Sequence, residues 1–85
     1  MSKPKNYILF IKDSKSTEKA FAGVFTCTKN AIEAIKEDYV LMSDIKDNYS
    51  IVEIESMEQN KYYDSNIAEV EFTTSNEEDR NKLFD

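Results

Sequence analysis

The spacing of apolar positions divides the chain into segments. Residues 5–13, KNYILFIKD, are dense in strand formers and stop at Asp13-Ser14. Alternation turns Tyr7, Leu9 and Ile11 to one face and Ile8 and Phe10 to the other. Apolar residues on both faces predict a central strand, or one whose second face a partner covers. After the polar stretch DSKSTEK, residues 20–28, AFAGVFTCT, predict a second strand. It would place Phe21, Gly23, Phe25 and Cys27 on one face and pair with the first strand as an antiparallel hairpin.

The period then changes. In residues 28–42, TKNAIEAIKEDYVLM, the positions Ile32, Ile35, Tyr39 and Met42 recur at helical spacing with Ala31 beside them. Thr28 is the expected N-cap, and residues 43–48, SDIKDN, the exit. A third strand is expected over 49–56, YSIVEIES. Ser56 and Gln59 stand at capping-box spacing, so 57–63 reads as a helical turn or an irregular loop. A fourth strand follows over 66–74, NIAEVEFTT. Ser75 and Glu78 repeat the capping-box spacing and open a short helix over 76–84, which holds only if Leu83 and Phe84 dock.

The expected order is β-β-α-β-β. Residues 1–85 form one α+β domain, an antiparallel sheet with one main helix on one face, and 75–85 are an acidic tail or short helix. Val52, Ile54, Ala68, Val70 and Phe72 should point to the helix. Glu53, Glu55, Glu69 and Glu71 should point away, with Ile51 and Ile67.

Composition bounds this picture. The chain has 85 residues, 40% of them hydrophobic, with five Tyr and five Phe, which suits a single small core. Cys27 is the lone cysteine, so no internal disulfide forms, and on its strand it reads as a small buried hydrophobe. The longest apolar run, YILFI, is too short to span a membrane. No apolar signal-peptide core follows MSKPKN, so a cytoplasmic protein is expected.

Charge changes the picture more. The net charge is −6 and unevenly placed. Residues 1–42 carry seven Lys against five acids, a net of +2; residues 43–85 carry three Lys and one Arg against twelve acids, a net of −8. An acidic half repels phosphate backbones, which argues against direct nucleic-acid binding. It favours partners with a basic surface.

Several chemistries lack their residues. There is no histidine, which removes Ser-His-Asp and Cys-His catalysis and the commonest general base. One cysteine cannot build a thiolate zinc site. One glycine cannot build a Walker loop or a G-x-G-x-x-G turn. Carboxylate pairs suit glycoside hydrolysis, but a chain this short rarely encloses such a pair. A protein that is no enzyme and takes no cofactor is expected.

That leaves the carboxylates on strands three and four, where like charges facing each other cost up to about 1 kcal/mol per pair. Three readings stand. The face is solvated and neutralised by lysines such as Lys12 and Lys19. Or it holds a hard metal ion on oxygen ligands, although no EF-hand loop is present. Or it binds a protein: Glu53, Glu55, Glu69 and Glu71 meet Lys and Arg, Ile51, Ile67, Tyr62 and Tyr63 act as anchors, and Glu77, Glu78 and Asp79 add charge from the tail. A homo-oligomer that sequesters a signalling nucleotide between subunits is the alternative, motivated by the two-sided first strand and the tyrosines.

Three stretches, Tyr7–Phe10, Gly23–Ile35 and Tyr49–Glu55, read YILF, GVFTCTKNAIEAI and YSIVEIE. They resemble small proteins common in phages and prophages of low-GC Gram-positive bacteria, which typically read Y-[IV]-L-F, G-V-[FY]-[ST]-x-x-x-x-A-x-E-A-I and Y-x-[IV]-x-E-[IVY]-E. The resemblance spans roughly residues 7 to 55 and carries over no catalytic residue. It implies a phage accessory protein acting in the bacterial cytoplasm. Such acidic proteins often inhibit host defence enzymes, including nucleases of restriction or CRISPR systems, by occupying basic DNA-binding surfaces.

Overall fold

The computed structural model describes residues 4–84. Strands β1 (Lys5–Lys12) and β2 (Ala20–Phe25) form the expected antiparallel hairpin. Helices α1 (Thr28–Glu37) and α2 (Tyr39–Asn48) follow, then β3 (Ile51–Glu58), β4 (Glu69–Thr73) and α3 (Glu77–Phe84). The four strands make one antiparallel sheet in the order β2-β1-β3-β4. The α+β class and the antiparallel sheet are as expected, whereas the element order is β-β-α-α-β-β-α.

The extra helix comes from a break at Asp38, whose backbone is extended (φ −94°, ψ 97°). Its side chain accepts from the Leu41 N–H at 3.0 Å and so caps α2. The break resets the helical phase. Ala31 and Ile35 of α1 and Leu41 and Ile45 of α2 are buried, while Tyr39, expected in the core, is 87% exposed. SDIKDN is therefore helix rather than exit. Cys27, half-buried, is the N-cap residue of α1 in place of Thr28, and its side chain makes no cap bond. Tyr49 ends α2 in the left-handed conformation (φ 56°). The Arg80 guanidinium donates to the carbonyls of Ile45 and Lys46 there, at 3.4 and 3.5 Å, and so meets the negative end of the helix dipole.

Leu9, Val52, Ile54 and Phe72 from the sheet close one core with Ala31, Ile35, Leu41, Ile45 and Leu83. α3 is held there by Leu83. Its N-cap is Asn76, whose Oδ1 accepts from the Glu78 N–H at 2.9 Å, and not the expected Ser75. Ser56 likewise opens no helical turn. β3 runs on to Glu58, and Ser56 lies buried within it.

Two bulges set the faces of the sheet. Gly23 pairs with Leu9 but Phe21 with Phe10, leaving Ala22 as the extra residue. Phe72 pairs with Ile54 but Val70 with Glu55, leaving Glu71 as the extra residue. A one-residue shift moves every side chain beyond it to the other face. Phe21 and Val70, expected to share faces with Phe25 and Phe72, lie on the side away from the helices. The edges also differ. β4 is five residues long, carries two glutamates, and its Thr73 N–H is taken by Asp79 at 3.2 Å. β2 has six residues and no charged side chain.

Candidate protein-binding surface

Away from the helices, β1 and β3 lay four pairs across the open face: Asn6 with Met57, Ile8 with Glu55, Phe10 with Glu53, and Lys12 with Ile51. Two segments reach over this face. One is the loop that ends at Lys19, and the other is the β3–β4 connection carrying Tyr63.

They meet at Glu55, which is only 2% exposed. Its Oε2 receives the Lys19 ammonium, which also lies 3.6 Å from Glu53 Oε2. The Tyr63 hydroxyl donates to Glu55 Oε1 at 2.7 Å. A buried carboxylate needs such partners, because an unpaired one loses its hydration uncompensated. The Phe10 ring floors the group. The Lys19 ammonium lies 4.6 Å from its centroid, Tyr63 packs on it at 5.4 Å, and Phe21 meets it edge-on at 6.5 Å.

The electrostatics follow from this packing. Partial burial pulls the Lys19 pKa down, but the Glu55 hydrogen bond and the charges of Glu55, Tyr63 and Glu53 outweigh it, so the value lies above that of ordinary lysine. Burial, the hydrogen bond to Glu55 and its charge push the Tyr63 hydroxyl up, against a smaller opposing effect of Lys19.

The four strand glutamates therefore do not share one patch. Glu53 and Glu55 lie together and are matched by Lys19, one of the lysines expected to neutralise this face. The bulge separates Glu69 and Glu71 from them. Glu69 pairs with Ser56, and Glu71 accepts from the Ser56 hydroxyl at 2.8 Å. Ile51 is half-buried opposite Lys12. The tyrosines divide: Tyr63 is built into the Glu55 cluster, while Tyr62 is 98% exposed. Ile67 and Val70 are more than half exposed.

Glu77, Glu78 and Asp79 form the first turn of α3, on the helical layer, where acids suit the positive end of the helix dipole. Asp79 also bridges to Lys82 at 3.2 Å.

A cleft of about 270 Å³ opens beside β3 and β4, lined by Lys5, Ser56, Met57, Glu58, Lys61, Ile67 and Glu69. Lys61 pairs with Glu58 at 3.0 Å, so the cleft mixes both signs of charge. Among the described residues no group of three Cys, Asp or Glu side chains could hold a metal ion, and no helix is long and apolar enough to cross a membrane.

Phe10 is the member of the cluster to which sequence reasoning gave no role. Its alternation placed it on the open face, but nothing local showed that Lys19 and Tyr63 would converge on it. No family model, curated protein or solved structure matches the chain.

Proposed function

We propose that this chain is a non-enzymatic, acidic protein-binding module that recognises a partner with a basic surface. The observation that carries the reading is the exposure of three apolar side chains, Tyr62, Ile67 and Val70, and of the carboxylates of Glu69 and Glu71, all within residues 62–71. Apolar and aromatic anchors supply most of the energy of protein interfaces, and surrounding charge supplies steering and selectivity. The −6 charge gives long-range attraction to a cationic partner. Glu53 and Glu55 lie apart from Glu69 and Glu71 and are engaged by Lys19 in the free chain.

The narrower reading is a phage-type accessory protein that inhibits or modulates a bacterial nucleic-acid-processing protein. Its support is the motif resemblance over roughly residues 7 to 55 together with the charge. Affinity capture from a bacterial lysate tests the module. The wild-type chain should retain a basic protein that the Tyr62→Ser/Ile67→Ser/Glu69→Gln/Glu71→Gln variant loses, with far-ultraviolet dichroism unchanged. An identical captured set from both chains would reject the surface.

A further inference from the structure

The surroundings of the Lys19 ammonium are a built site. One wall is the face of Phe10, 4.6 Å away. The second is the carboxylate pair, with Glu55 in direct contact and Glu53 at 3.6 Å. The third is Tyr63, bonded to the other oxygen of Glu55 and packed on Phe10. An aromatic face beside a desolvated carboxylate is the chemistry that recognises an alkylammonium.

The walls and the cation come from different parts of the chain. Phe10 lies on β1, Glu53 and Glu55 on β3, and Tyr63 on the following loop. Lys19 ends the exposed stretch 13–19, and its own side chain is 32% exposed. The receptor is thus assembled by the sheet, and the ion in it hangs from a solvent-exposed arm.

We infer that Phe10, Glu53, Glu55 and Tyr63 form a recognition site for a lysine side chain of the protein partner, and that Lys19 fills it in the free chain as an internal stand-in. The inference rests on the protein-binding reading above and names what that surface reads. A partner lysine enters as the Lys19 ammonium swings out to water, so Glu55 is not left unpaired. One ammonium replaces another, and the surplus must come from neighbouring apolar contacts: Val70 is the register partner of Glu55, and Tyr62 adjoins Tyr63. The site favours lysine over arginine. A guanidinium binds a carboxylate best through both oxygens, and Tyr63 holds one of the two on Glu55.

Competition gives the inference its test. A tethered lysine acts as a competitor at an effective concentration on the order of millimolar, and the apparent affinity falls by the fraction of sites it leaves open. Removing it should strengthen lysine binding beyond the general gain that one fewer positive charge gives any polycation, a gain that hexa-arginine measures. The probes are a hexalysine peptide and n-butylammonium, titrated against the full chain.

Lys19→Ala should bind hexalysine about tenfold more tightly than wild type, and more tightly than it binds hexa-arginine. n-Butylammonium should raise the thermal midpoint of Lys19→Ala but not of wild type, beyond sodium at equal ionic strength. Adding Glu55→Gln to Lys19→Ala should abolish both responses. Equal or weaker hexalysine binding by Lys19→Ala, or stabilisation no greater than that by sodium, overturns the site. If Lys19→Ala does not fold, Lys19→Gln, which keeps amide donors for Glu55, carries the same comparison. Tyr62→Ser/Ile67→Ser added to Lys19→Ala should leave the n-butylammonium response intact, so failure of the wider surface and failure of this site read out separately.

Discussion

The two faces of the sheet solve opposite problems. Towards the helices, Leu9, Val52, Ile54 and Phe72 are buried among apolar neighbours, and stability there comes from area removed from water and from packing. On the open face a second, smaller cluster forms around a charge: Glu55 is as hidden as Phe72, and Lys19, Tyr63 and Phe10 keep it satisfied. The first face tolerates no polar side chain without a partner. The second is organised by one, and its order depends on segments distant in sequence. Damage to the first should unfold the protein. Damage to the second should loosen a surface and leave the fold.

The largest effect belongs to the helical side. Phe72→Ala should cost about 3–5 kcal/mol, a large share of what an 85-residue domain has, measured by urea unfolding. If Phe72→Ala costs no more than Lys19→Ala, the contrast between the faces fails. Lys19→Ala should cost about 2–3 kcal/mol, less than breaking a fully buried pair because Lys19 is one-third exposed. Tyr63→Phe removes one hydrogen bond to a charged group, about 1.5 kcal/mol. Hydrogen exchange should speed up in residues 59–68 and stay unchanged in α1; uniform acceleration would mean that the open face does not loosen on its own.

The helix junction was not legible, and the reason is instructive. Ile32, Ile35, Tyr39 and Met42 keep the 3-4-3 spacing of one continuous helix. Asp38 capping Leu41, with Leu41 and Ile45 four apart, is a rival signal that only burial decides. Asp38→Ala should cost about 1 kcal/mol in urea unfolding. The faces of β1 and the core positions of β3 followed from alternation. The faces of Phe21, Val70, Glu69 and Glu71 did not, because the extra residues, Ala22 and Glu71, are not glycines and leave no mark in the pattern. The burial of Glu55 was hidden for another reason. In a strand it reads as a solvated glutamate, and its partners arrive from residues 19 and 63 only when the chain has folded.

The smallest effect is on pH dependence, and it has a definite sign. Lys19 titrates above its ordinary value in the folded chain. Its contribution is complete below the unfolded lysine pKa and is lost as pH rises through the folded one. Tyr63 is also raised, so the unfolded chain sheds that proton first and gains as pH climbs. Both make wild-type stability fall above about pH 10. In urea midpoints measured across that range, Lys19→Ala/Tyr63→Phe should show a shallower fall, and a slope equal to wild type would detach these two groups from the alkaline limb.

The unequal strand edges bear on what happens when the protein is heated or concentrated. β4 is short, bulged, flanked by negative side chains and blocked at Thr73 by Asp79, a combination that repels an incoming chain. β2 offers Ala-Phe-Ala-Gly-Val-Phe with a bulge but without one charge. Self-association should therefore start along β2 and grow outward from it. A single lysine placed at Val24 would act as a gatekeeper, raising solubility while the acidic side of the molecule keeps its character.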